Sequence, residues 1–339
     1  MEKAASADNA KQINTDNVYV LRILAIFLII NAHMAALYPS RALAFGGYPG
    51  DSIFYLISGY GLALSFSRRP LGTAEWLNKR FLKVIIPLVF LFGIANIGSL
   101  KGFTSSLMGD LVPHTTEQLK HFMPVLWILY ILFLPVYKLK NRNQGILLSI
   151  LLFVSLGIFL WQTHFLQTPP PNFASHGVFF ALNGLICFTL GVFLNGIRLG
   201  PILSGKTAKV LLLALILLTQ IFHKMIGMFV PVLSFFEFYL SIIFVAALFL
   251  LFLSMRQKVL PGASLPIKEI AASSLAVYIV HFKFIALARA LGIMFPLNII
   301  FVLVNSFLWA YSAAKLTSVI SGTLLNKIQL KQAGAPQTP

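Results

Sequence analysis

Stretches of about 20 mostly apolar residues, each long enough to cross a bilayer as a helix, follow one another from residue 18 to residue 318. Ten can be marked, near residues 18–39, 48–67, 82–100, 123–137, 145–162, 176–196, 208–223, 228–254, 270–290 and 293–318. Nothing constrains the fold of this chain more. In lipid every backbone N–H and C=O must find its partner inside the segment, so such stretches fold as spanning helices. The charge content agrees: only 10% of the residues are charged, against about 25% in soluble domains. Two water-soluble domains, which 339 residues would ordinarily form, could not be covered by so few charges. The expectation is therefore an all-α integral membrane protein with about ten transmembrane helices. Residues 1–17 would be a polar lead-in, 18–318 one membrane domain, and 319–339 a cytoplasmic tail, disordered beyond Lys327. The first apolar stretch is too long for the core of a signal peptide and lacks a cleavage site, so it reads as the first span.

The net charge of +17 would suggest nucleic acid in a soluble protein. Here it has a topological explanation. With the N-terminus placed inside, 20 of the 26 Lys and Arg residues fall in the segments that alternation assigns to the cytoplasm. The six others are Arg41, Lys101, Lys120, Lys224, Lys283 and Arg289. Basic residues are retained on the cytoplasmic side, so the split predicts both termini inside and no nucleic-acid partner. Cys187, the single cysteine, lies in an apolar run and excludes an internal disulfide. No two histidines have the four-residue spacing with a carboxylate that a helical metal site needs, and we expect no metal.

Ionisable side chains inside a span are expensive, at least about 2.5–3.5 kcal/mol on insertion scales, and mark functional positions by default. Arg22 and His33 share the first span. Eleven residues of α-helix turn to within about 20° of three full turns and rise about 16 Å. The two side chains thus lie on one face, Arg22 toward the inside and His33 toward the outside; a snorkelling Arg and a histidine bonded to a neighbouring helix are the structural alternative. Asp51 opens the second span after a short turn-rich loop, at a depth expected to match His33, where a carboxylate could fix the imidazole tautomer. A helix-capping role is the alternative for Asp51. Glu237 interrupts a strongly apolar run and His281 sits near mid-membrane, and for both a functional role and structural hydrogen bonding are equally open. Trp127 follows Pro124 in the fourth span, where a place in the interfacial aromatic belt is the simpler role. Arg68, Arg69, Lys79, Arg80 and Lys83 form the richest basic loop of the chain, with Trp76 among them. Retention at an anionic membrane surface explains such a patch. So does a dock for phosphate, which the guanidinium fork matches.

These residues stand in an order that resembles the acyltransferase-3 family of integral membrane O-acyltransferases. Arg22 and His33 are similar to that family's Arg-x10-His on the first helix. Gly50-Asp51-Ser52-Ile53-Phe54-Tyr55-Leu56-Ile57-Ser58-Gly59 resembles its Gly-Val-Asp-x-Phe-Phe-x-x-Ser-Gly, with one residue missing before Asp51 and Tyr55 in place of Phe. Lys79-Arg80 ahead of Ile86-Pro87, Leu126-Trp127-Ile128-Leu129, and Ser274-x-x-x-Tyr278-x-x-His281 complete the series. The resemblance implies transfer of an acyl group, commonly acetyl from acetyl-CoA, to a hydroxyl of a glycan or similar acceptor in a bacterial cytoplasmic (inner) membrane. Acyl-CoA would be a donor substrate and not a permanently bound cofactor. Arg22 and His33 would be the essential pair, with Asp51 beside His33. Arg22, Arg68, Arg69, Lys79 and Arg80 would hold the donor phosphates. Ser58, Trp127, Glu237, Tyr278 and His281 are further candidates. Two other readings fit buried ionisable groups: a proton-coupled secondary transporter, against which no repeat of the two halves is visible, and a non-catalytic membrane partner.

Overall fold

A computed structural model describes residues 15–40, 43–68, 72–78, 122–161, 177–197, 205–229, 234–255 and 264–333, with isolated positions between them. The described residues are almost entirely helical and contain no strand. The helices are α1 (Thr15–His33), α2 (Gly47–Arg68), α3 (Phe122–Lys138), α4 (Asn141–Leu160), α5 (Gly177–Asn195), α6 (Lys206–Phe229), α7 (Ser234–Ser254), α8 (Ser264–Ala272), α9 (Ser274–Ala290) and α10 (Leu297–Ala333). Among the described residues, five segments are long and apolar enough to cross a membrane: Asn17–Leu37, Asn141–Leu160, Gly177–Asn195, Phe236–Ser254 and Leu297–Leu316. Phe122–Lys138 is a shorter apolar helix. The third marked stretch, 82–100, lies outside the described residues apart from single positions.

Two boundaries differ from the sequence reading. The first span stops being an α-helix at His33 and continues as a 3-10 turn, Met34–Leu37. His33 is therefore at the end of α1 and not six residues inside it. At the other terminus α10 runs on through the segment expected to be tail, and ends at Ala333. No proline stands between Thr317 and Ala333, and the next one is Pro336. At 1.5 Å per residue its 37 residues span about 55 Å, longer than the roughly 30 Å hydrocarbon core.

Small residues set the packing around α2, as expected where van der Waals contact and not hydrophobicity holds helices together. A Cβ on Gly50 would lie 2.8 Å from the Ala25 carbonyl oxygen, so α1 and α2 pack backbone to backbone as an antiparallel hairpin. On its other side α2 meets α5 in parallel, with Gly59 against the Phe188 carbonyl and Gly191 against that of Leu56. Polar side chains tie helix ends together. The Asn17 amide donates to the carbonyls of Phe252 and Met255 at the end of α7. Asn31 donates to Leu43 and Phe45 in the α1–α2 loop, and Asn298 to Leu37.

The core has two main parts, and α1 belongs to both. Val18, Leu21 and Ala25 pack into a cluster built from α2, α3, α4, α5 and α7. Ile26, Ile29, Ile30, Met34 and Leu37 pack into a second one with α9 and α10. The helix that carries Arg22 and His33 is thus the seam of the molecule.

Candidate active site

The last residue of α1 and a buried residue of α9 meet across the second core. His33 Nδ1 lies 2.7 Å from His281 Nε2. The rings are within 9° of parallel, with centroids 5.0 Å apart. A separation of 2.7 Å is a hydrogen-bond distance and too short for two stacked faces, so the contact is an in-plane N–H···N bond. His281 is fully buried, and its Nδ1 is 3.2 Å from the carbonyl oxygen of Val277, one turn earlier on α9. His33 is exposed. Phe282 leans on both rings, at 4.6 Å from His33 and 4.0 Å from His281.

Arg22 sits three turns below His33 on α1. Its guanidinium carbon is 5.8 Å from the centre of the Phe54 ring, within cation–π range. Its Nε is buried and makes no hydrogen bond. Rings then run from the guanidinium toward the histidines. Phe54 meets Phe122 edge-on at 5.0 Å, Phe122 meets Tyr278 at 4.9 Å, and Tyr278 meets His281 at 5.7 Å. Tyr278, singled out from the sequence, thereby joins the site. Phe54, Phe122 and Phe282 were not singled out. Their only signal was adjacency to motif residues, and aromatic residues are common in an apolar bundle.

Asp51 is not where the sequence reading placed it. Gly47 packs against Ala32 and Gly50 against Ala25 and Ile29, so Asp51 lies deeper than His33, between the levels of His33 and Arg22. No hydrogen bond joins it to His33, whose ring partner is His281. The reason is the early end of α1: His33 stands at the top of the helix, and α2 begins level with it. Asp51 Oδ1 is buried and makes no hydrogen bond, as is the Tyr48 hydroxyl one turn earlier. Beside them Asn183 of α5 donates to Ser52 Oγ at 2.6 Å, an intramembrane amide that the sequence reading passed over. Ser58 shares Asp51's face of α2, two turns farther along, and is buried.

The remaining candidates stand apart from the histidine pair. Glu237 occupies the first turn of α7, where a carboxylate complements the helix dipole. Trp127, on α3, meets Tyr130 edge-on at 6.3 Å. Arg68 is exposed in the last turn of α2. Arg69, Lys79 and Arg80 lie outside the described residues. Trp76, expected in a surface patch, is instead only 2% exposed and stacked 5.0 Å from Phe133 of α3, which moors that loop to the first core. No group of three metal-ligating side chains occurs among the described residues.

A family model described as an acyltransferase domain matches residues 16–325, nearly the whole chain. No protein of curated function and no solved structure matches.

Proposed function

The chain belongs to the acyltransferase-3 family and is an integral membrane acyltransferase, and from that premise we propose that it moves an acyl group, acetyl in the first instance, from cytoplasmic acyl-CoA to a hydroxyl of an extracytoplasmic or membrane-linked glycan. The observation that carries this reading is the pairing of an exposed imidazole with a buried guanidinium on one face of α1. Their offset of about 16 Å is of the order of a pantetheine arm, with phosphates at one end and a thioester at the other. Arg22, with Arg68, Arg69, Lys79 and Arg80, would hold the phosphates, where forked donors match phosphate oxygens. His33 would take the proton of the acceptor hydroxyl as its oxygen bonds to the acyl carbon. The C–S bond then breaks, and the same proton passes to the departing thiolate. Buried Asp51 Oδ1 and Tyr48 OH lie between these two levels and would meet polar groups of the arm.

The topology in this proposal is ten spans with both termini in the cytoplasm of a bacterial inner-membrane protein. Contacts between distant segments support it. Asn17 with Met255, Asn141 with Gly196, and Glu269 with Lys315 each join residues that the alternation puts inside. Ser155 with Tyr239 and Leu37 with Asn298 join residues that it puts in the outer half of the membrane.

The test compares surface glycans by mass spectrometry from cells carrying wild type, His33→Ala or no copy. Acyl groups present only with wild type are expected. Identical glycans in all three, together with no CoA release from acetyl-CoA by purified protein, would overturn the reading.

A further inference from the structure

We infer that His281 is a positioning residue that fixes the tautomer of His33, leaving Nε2 of His33 as the unprotonated nitrogen that faces substrate. The inference rests on the acyltransferase reading for its purpose, but its geometry does not. A carbonyl oxygen only accepts. The 3.2 Å contact between His281 Nδ1 and the Val277 carbonyl therefore puts the His281 proton on Nδ1. His281 Nε2 is then a lone pair. It lies 2.7 Å from His33 Nδ1, so that contact needs a proton on His33 Nδ1. In a neutral imidazole the other nitrogen is then bare. One backbone carbonyl, through one buried ring, sets the state of the exposed ring.

Burial divides the two roles. His281 is wholly enclosed and both its nitrogens are engaged, so it has no nitrogen left for substrate. His33 is exposed, and among the described residues its ring is engaged only at Nδ1. Phe282 packs on both rings and restrains their common plane. When His33 takes the acceptor proton on Nε2, its Nδ1–H bond to His281 becomes charge-assisted and shorter. The proton then leaves from Nε2 to the thiolate sulfur, and both rings return to their starting tautomers. No carboxylate is needed to orient the base.

The test has two readouts on the full chain in detergent or nanodiscs. The first is ¹⁵N NMR of protein labelled at the histidine side chains, assigned by His33→Ala and His281→Gln. Both rings should report a proton on Nδ1, and in His281→Ala the His33 ring should move its proton to Nε2. A wild-type His33 protonated on Nε2 would overturn the inference, whatever the protein's activity. The second readout is kinetic. His281→Ala should lower kcat roughly ten- to a hundredfold, the scale on which loss of an orienting partner is felt, while KM for acyl-CoA changes little. His281→Gln offers an amide oxygen to the same Nδ1–H and should recover much of kcat. If Gln and Ala fall equally while both stay folded, His281 serves packing alone. If the tautomers are as inferred but wild type transfers no acyl group, the function proposal fails and the positioning geometry stands.

Discussion

His33 and Arg22 are where single substitutions should separate chemistry from structure. His33 is exposed at the end of α1 and its aromatic neighbours lie to one side, so His33→Ala leaves no buried cavity. It should lower acyl transfer by about 10²–10⁴-fold, the range for a general base, with the protein still extractable as a monodisperse species. Turnover at the wild-type rate in radiolabelled acetyl transfer would remove His33 from the mechanism. Arg22 asks a different question, because an ammonium keeps the charge but lacks the guanidinium fork. Arg22→Lys should weaken CoA binding measurably by calorimetry at fixed salt, while melting close to wild type. Equal CoA affinity in the two proteins would place the phosphates elsewhere.

At the level of helices, the close approach of α2 to α5 is what holds Asp51, Tyr55 and Ser58 in place. The parallel pair depends on glycines whose missing side chains let backbone touch backbone. Gly191 carries this most severely, since a Cβ there would run into both the Leu56 carbonyl and the Tyr60 N–H. Gly191→Ala should destabilise the bundle by about 1–3 kcal/mol, as overpacking does, read as a lower midpoint in detergent melts. Gly157 of α4 has nothing within 4 Å of its would-be Cβ. There the same substitution should be neutral or slightly stabilising, since alanine exceeds glycine in helix propensity by about 0.8–1.0 kcal/mol. Equal melting of the two variants would show that the α2–α5 contact is looser than the packing implies.

For the molecule as a whole the governing quantity is the 20-to-6 division of basic residues, because Lys and Arg resist translocation. Reporter fusions after Lys11, Lys140 and Lys331 should all report cytoplasm, and a fusion within 168–172 should report the outside. A cytoplasmic signal from that last site would break the alternation and with it the path from inner donor to outer acceptor. Residues on opposite sides of the bilayer cannot form the observed end-to-end hydrogen bonds, so the same experiment checks the pairing of Asn17 with Phe252 and of Asn298 with Leu37.

Apolar stretches of the right length determine helices by themselves, because in lipid each helix must satisfy its own backbone. The helical class was therefore legible in the chain, as was the common face of Arg22 and His33, which follows from helical periodicity alone. Two features lay beyond that reach. One was where α1 would stop: no proline marks His33, and the 3-10 turn after it is held by distant partners, with Asn298 of α10 donating to Leu37. That early stop set His33 above Asp51. The other was the partner of His33. His281 is 248 residues away in sequence, and periodicity on one helix says nothing about which face of another it will meet. Only the packing of α1 between two cores, against α2 through Gly50 and against α9 through Ile29 and its neighbours, brought the two imidazoles into one plane.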